Sequence, residues 1–280
     1  MRRSGATGPD EVIRPLRTTM TGVLAVEAVS ARVFVRHSHD EFGIGVVLSG
    51  AQDSASGRGP VRAERGQVIT VNPGEVHDGV PVGGPRHWRM LYFRPEVLAE
   101  ALAAIGCAPG SELAHPVLDG PGTARRFLGL HAALMGGSGS ALAVESLLDE
   151  TLAGLTAPQG LPPTPFMPLI QQARRMIDED PAADWRLADP AGACGLGRFH
   201  FLRAFRAATG LPPHAYRVQR RLHAARRLLA QGVPPAETAA ACGFADQSHM
   251  NRHFLRSYGC TPGRLAAQLS RAMISRARAT

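Results

Sequence analysis

Two stretches near the C-terminus carry side chains suited to reading nucleic acid. Residues 193–213 run ACGLGRFHFLRAFRAATGLPP, and residues 241–263 run ACGFADQSHMNRHFLRSYGCTPG. Wound at 3.6 residues per turn, the first aligns Arg198, Phe199, Arg203 and Arg206 on one side. The second aligns Gln247, Ser248, Asn251, Arg252 and Arg256. The planar forks of Arg, Gln and Asn match the hydrogen-bonding edges of guanine and adenine in the major groove. A different chemistry is offered earlier in the chain, where His37, His39 and His77 lie with Glu41 nearby. Imidazole and carboxylate are ligands for iron, zinc, manganese or nickel, and equally the lining of a polar pocket.

The elements that must position the first set are legible. Phe205, Gly210 and Pro213 match Phe254, Gly259 and Pro262 at an offset of 49, so the two stretches are an internal duplication. In each, a short helix ends at Ala-Cys-Gly, the Gly supplying a left-handed turn, and a second helix follows at once. The buried stripe of that second helix is expected to be Phe201 and Phe205 in one copy, Met250 and Phe254 in the other. This is a helix-turn-helix written twice. Between the copies, residues 214–231 form a long basic helix whose apolar stripe includes Tyr216, Leu222, Ala225 and Leu229. Cys194 and Cys242 occupy equivalent points of the two copies, where a thiol serves as a small apolar filler.

Charge is divided unevenly. Residues 166–280 hold 17 Arg against 7 acids, a net of +10, whereas residues 1–165 hold 14 Arg against 16 acids. A basic C-terminal region attracts phosphate, and the near-neutral first half is left to bind something else. The four cysteines show no CxxC spacing, which argues against a structural zinc site, and no segment has the pattern of a signal peptide or membrane span. A reduced, cytoplasmic protein without a membrane partner is expected.

The first half is read as mostly strand. From residue 23 apolar positions alternate with small or polar ones, broken by turns at 54–60, 63–66 and 72–74, and a further strand covers 87–93. So many short strands close most naturally as a small barrel or sandwich. Helical periods follow at 95–105, 123–135 and 140–155, and five prolines in residues 157–168 mark a linker. The expected organisation is a disordered tail (1–19), a barrel (20–94), a helical dimerisation or linker segment (95–156), a Pro-rich linker (157–166), an all-helical domain (167–266) and a basic tail (267–280). Within the helical domain the two helix-turn-helix units cover about 186–208 and 235–258.

Residues 167–266, and above all GFADQSHMNRHFLRSYGCTP, resemble the DNA-binding domain of the AraC/XylS family of bacterial transcription regulators, whose seven helices are matched in order. The first half is similar to that family's cupin-type sensor domain through His37-Ser-His39, Gly66 and Pro73-Gly-Glu-Val-His77. The resemblance implies an α+β two-domain fold: an N-terminal cupin-like β-barrel with appended helices and a C-terminal all-α domain with two helix-turn-helix motifs. It also implies two recognition helices in successive major grooves, roughly 34 Å apart. Base contacts would fall on Arg198, Phe199, His200 and Arg203 in the first unit and on Gln247, Ser248, Asn251 and Arg252 in the second. Arg206 and Arg256 would meet phosphate. The implied function is a promoter-binding regulator, a homodimer with RNA polymerase a possible contact. It would respond to a small molecule held near His37, His39, Glu41 and His77, with Trp88, Arg89 and Tyr92 as further candidate lining.

The chain departs from the family pattern at several points. Pro190 replaces a usual Leu and is followed by Gly192, so the first supporting helix is expected to be short or distorted. Gly197 and Ala245 replace the usual capping Ser, with Asp246 available as a substitute cap in the second unit. Glu41 follows His39 by only two residues, closer than in metal-dependent cupins. An organic effector pocket is therefore preferred over a metal site, and no metal or other cofactor is expected. The alternative function is a metal-dependent cupin enzyme whose basic tail holds it on nucleic acid. Against it, no nucleophile elbow, phosphate loop or supported carboxylate pair is present, so no catalytic residue is assigned and a non-enzyme is expected.

Overall fold

A computed structural model describes residues 12–136, 141–156, 168–183 and 188–267. Contacts along the chain define two compact units, residues 1–33 with 39–161 and residues 34–38 with 162–280.

The strands among the described residues all lie in the first unit except β3, which belongs to the second. They are β1 (Val12–Arg17), β2 (Val23–Ser30), β3 (Phe34–His37), β4 (Phe42–Ser56), β5 (Gly59–Glu64), β6 (Val68–Val71), β7 (His77–Phe93) and β8 (Val117–Leu118). In the first unit their hydrogen-bonded order is antiparallel β1-β2-β7-β4-β6-β8, with β5 on β4. Two strands are far longer than the sequence suggested. β4 and β7 run through Ser49, Gly50, Gly79 and Gly83 because register shifts between Val47 and Ser49, and between Ser49 and Ala51, absorb the irregular residues. The expected break at 54–60 shrinks to a two-residue turn at Gly57 and Arg58. The expected tail also needs correction. Residues 12–17 form β1, paired with β2 from Val12↔Val29 to Arg17↔Leu24, and Pro15 is tolerated because β1 is an edge strand.

Alternation divides β7 cleanly. Leu91 and Phe93 face the helices α1 (Pro95–Ala104), α2 (Pro121–Gly136) and α3 (Ala141–Ala153), in a core with Ala25, Ile44, Val68, Leu98, Phe127, Leu148 and Leu152. Trp88, Met90 and Tyr92 take the other face, where β4 supplies Gly43 and Gly45 opposite Tyr92 and Met90. A Cβ on Gly45 would stand 2.0 Å from Met90 Sδ and 2.5 Å from the Arg89 carbonyl, so this glycine is what lets Met90 lie across β4. A partly buried ion pair braces the turn beside that face. Arg58 meets Glu75 through Nε (2.9 Å) and NH2 (2.8 Å) and also donates to the Thr70 and Leu113 carbonyls.

The second unit is helical: α4 (Pro168–Glu179), α5 (Ala188–Ala193), α6 (Arg198–Thr209), α7 (Pro213–Ala230), α8 (Pro235–Ala241), α9 (Gln247–Tyr258), then helical residues 262–267. Its two halves share α7. Tyr216 at the start of α7 packs edge-on against Phe205 of α6, ring centroids 5.5 Å apart, while Leu222, Ala225 and Leu229 join Met250 and Phe254 of α9 in the second half's core. Tyr216 also links α7 to α4: its hydroxyl donates to Asp178 (2.7 Å) and accepts from Arg174 Nε (3.0 Å), and Arg220 reaches the same carboxylate. Burial, with the nearby carboxylate adding to it, pushes the Tyr216 pKa up to about 12.

Candidate nucleic-acid interface and sensor cluster

The duplicated segments fold into equivalent structures for the reasons their residues suggest. The turn of the first unit carries Gly195 at φ 61° and that of the second Gly243 at φ 73°, both left-handed. Both recognition helices end on a left-handed glycine, Gly210 and Gly259, whose N–H closes the last turn onto Arg206 O and Leu255 O. Phe201, Phe205, Met250 and Phe254 are fully buried, as the periodicity required. Cys194 and Cys242 are buried too, and burial raises both thiol pKa values, so they behave as packing groups rather than nucleophiles.

The two units differ at their N-termini. Asp246 caps α9, its Oδ1 accepting from the His249 N–H at 2.6 Å, whereas Gly197 offers α6 no side-chain cap. α5, with Pro190 inside it, is only six residues long. A further brace is peculiar to the second unit. Arg221 of α7 donates to the carbonyls of Pro181 (2.6 Å), Ala182 (3.2 Å) and Gly243, tying the segment after α4 to the turn between α8 and α9. Gln219 Nε2 donates to Ser257 Oγ at 3.1 Å inside the same half, fixing α9 against α7.

What these helices leave in solvent is the candidate reading surface. His200, Arg203 and Arg206 of α6 are exposed, as are Gln247, Ser248, Arg252 and Arg256 of α9. Asn251 is half-buried toward the edge of that surface. The side chains of Arg198 and Phe199 lie outside those described. The packing thus turns the apolar stripe of each recognition helix inward and leaves donor-rich side chains outward, with cationic charge for phosphate and forked groups for base edges.

In the sheet unit His39 and His77 come together, their ring centroids 5.2 Å apart, with His39 buried. His37, also buried, lies on β3 in the second unit. Two of the rings are oriented by backbone carbonyls: His37 Nδ1 lies 2.8 Å from Val35 O and His77 Nδ1 3.0 Å from Glu75 O. An N–H at those positions leaves each Nε2 as an acceptor. Burial holds the His77 pKa below its ordinary value, so at neutral pH the ring is uncharged. The Tyr92 ring stands 5.0 Å from that of His39 and belongs to the cluster. Glu41 is not among the clustered metal-ligating side chains. Arg89 turns to the helix-facing side, where it pairs with Glu27 at 3.0 Å, and Trp88 packs beneath Arg86, whose guanidinium carbon is 4.6 Å from its ring. Arg86 itself is buried and donates to Gln52 and to the Ser30 and Arg32 carbonyls, with burial lowering its pKa to about 10. The two imidazoles and the Tyr92 hydroxyl can take a polar group of a small molecule.

Comparison with known proteins agrees with this geometry. Residues 23–153 match the family of AraC-like ligand binding domains, and residues 191–268 match a helix-turn-helix domain family. The chain is 27% identical over 224 residues to the uncharacterized HTH-type transcriptional regulator YbfI of Bacillus subtilis, covering 78% of this chain and 81% of that one. It is 28% identical over 96 residues to the HTH-type transcriptional regulator ExsA of Pseudomonas aeruginosa, about a third of either protein (34% of each). Among solved structures, ToxT of Vibrio cholerae with an unsaturated fatty acid bound shares the fold over 90% of this chain and 97% of its own, at a TM-score of 0.59 and 12% identity. A sheet domain that takes a ligand, joined to paired helix-turn-helix units, defines a transcription regulator carrying its own sensor. The chain belongs to the AraC family of transcription regulators, with an N-terminal ligand-binding domain and a C-terminal DNA-binding domain. The matched families are those of regulators, and the reading as a metal-dependent enzyme finds no support in them. Among the described residues no helix is long and apolar enough to cross a membrane.

Proposed function

We propose that this regulator reads a promoter through α6 and α9 and does so as a cytoplasmic homodimer, without catalysis, under the control of a small organic effector. The observation that carries the DNA reading is the pairing in each recognition helix of a buried aromatic or Met stripe with exposed arginines. Arg203 and His200, with Arg198 and Phe199 beside them, are assigned to bases in one groove. Gln247, Ser248, Asn251 and Arg252 are assigned to bases in the next, and Arg206 and Arg256 to phosphate. The better-capped and better-braced second unit is the stronger reading head.

Effector recognition is assigned to the face of the sheet carrying His39, His77 and Tyr92, and His37 of the second unit is kept as a separate effector candidate. An uncharged imidazole both donates and accepts, which suits a hydroxyl, carbonyl or protonated acid group on an otherwise apolar molecule. The fatty acid bound to ToxT is a ligand of that general kind. The effector acts by binding two states of the protein unequally and so shifting which promoter half-sites a dimer reaches, RNA polymerase being the downstream contact.

Footprinting of promoter fragments with the purified chain tests the assignment. Protection is expected in two adjacent major-groove segments on one face of the duplex, with loss of the second segment's protection in R252A. Protection confined to a single segment, or none, overturns it.

A further inference from the structure

A second histidine cluster lies in the DNA-binding unit, outside every residue assigned to bases or phosphate. His249 and His253 are one turn apart on α9, and their Nε2 atoms approach to 3.1 Å with ring centroids 4.8 Å apart. Both rings are held in place. Phe244, just before α9, stacks edge-on against His249 at 5.7 Å and lies 6.4 Å from His253, and the backbone of His249 is pinned by the Asp246 cap. Each ring is half-buried along the flank between the core residues Met250 and Phe254 and the outward Arg252 and Arg256.

We propose that His249 and His253 form a two-imidazole binding site for a borderline divalent cation of the zinc, copper or nickel class. With metal–nitrogen bonds of about 2.0 to 2.1 Å, two imidazoles on one ion place their nitrogens about 2.9 to 3.4 Å apart across octahedral to tetrahedral angles. The observed 3.1 Å lies within that interval, so the ion takes the place of the proton between the rings without moving the helix. Two nitrogen ligands favour these ions over magnesium and calcium, which demand oxygen. The remaining positions are open to water, as the rings' half-exposure allows. A bound ion spans the first two turns of α9 and acts as a clip on the recognition helix, coupling metal supply to the stability of the second reading head.

Zinc ion alone is the probe, titrated into the chelator-stripped full chain against a chromophoric chelator. The H39Q/H77Q variant is titrated in parallel, so that the sheet-domain histidines do not contribute. In that background one equivalent is expected to bind and to slow amide exchange in residues 247–258, whereas magnesium does neither. Adding H253Q is expected to weaken zinc binding at least about tenfold and to abolish the slowing; H249Q reproduces the loss independently. In the otherwise wild-type chain, H253Q is expected to remove one bound equivalent while metal-free amide exchange of the helical unit stays unchanged. Zinc binding of equal affinity with and without His253, or binding that leaves exchange in α9 unaltered, reduces the pair to a plain imidazole hydrogen bond and overturns the proposal.

Discussion

Replacing Gly243 by Ala, with Gly195→Ala as its internal control, separates two costs that are usually entangled. Both glycines are left-handed, at φ 73° and 61°, and occupy the same place in the two copies of the motif. An L residue in that conformation costs about 1 to 2 kcal/mol. At Gly195 nothing lies within 4 Å of the added Cβ, so the cost ends there. At Gly243 the Cβ would sit 2.9 Å from Ala182 O, 3.0 Å from Ala182 Cα and 3.1 Å from the Arg221 guanidinium carbon. Two of these neighbours are backbone, and the third is fixed by hydrogen bonds to three carbonyls, so none yields cheaply. Overpacking of this kind adds about 1 to 3 kcal/mol. G243A is therefore expected to destabilise the second unit by about 2 to 5 kcal/mol and G195A the first by about 1 to 2 kcal/mol. Amide exchange in urea, read separately in residues 188–209 and 235–258, measures each. Equal losses, or a larger one in G195A, would refute the claim that packing against residues 181–183 distinguishes the two turns.

Further outcomes are expected elsewhere. R203A and R252A should each weaken binding to the cognate promoter by about 1 to 3 kcal/mol and leave random DNA nearly unaffected, whereas R206A and R256A should weaken both alike and lower the log-affinity salt slope by about 1 in filter-binding assays. Y216F removes the hydroxyl between Arg174 and Asp178 and should cost about 1 to 3 kcal/mol, measured by urea unfolding of the helical unit. Because the Tyr216 pKa is raised in the fold to about 12 from 10.0, the stability it contributes is full below pH 10 and fades as pH rises toward 12. An ultraviolet titration should show a late tyrosinate that Y216F removes. In the sheet unit, R58A leaves the Glu75 carboxylate with the Asn72 N–H in place of the guanidinium and should cost about 1 to 3 kcal/mol, read as exchange in residues 59–82, with the helical unit unchanged.

The helical half was legible in the sequence because its information is local. Left-handed glycines, an aromatic stripe every fourth residue and a repeat at 49 positions each mark a helix terminus or face without reference to distant residues. Sheet structure is not local in this sense. Residues 12–17, with Pro15 and flanking arginines, resemble a tail until β2 lies beside them. Gly50 and Gly83 lie inside long strands because register shifts absorb the irregular residues of β4 and β7. Arg58, Arg86 and Arg221 were invisible as structural residues because a basic side chain reads as surface unless its acceptors are known. Their acceptors are mostly backbone carbonyls, which no sequence pattern displays. Of the sensor candidates in the sheet unit, His39 and His77 converge and Tyr92 joins them, while His37 falls in the other unit. The His249–His253 pair had a signal, two imidazoles four apart, that was masked by its place inside a motif already assigned to DNA.

The 18-residue helix α7 is about 27 Å of continuous rod whose inward side belongs to the cores of both helix-turn-helix units. One residue inserted into it would swing one unit about 100° around the axis and push it about 1.5 Å along. No intermediate setting exists. The separation of the two helix-turn-helix units is consequently set in whole-residue steps of this one helix.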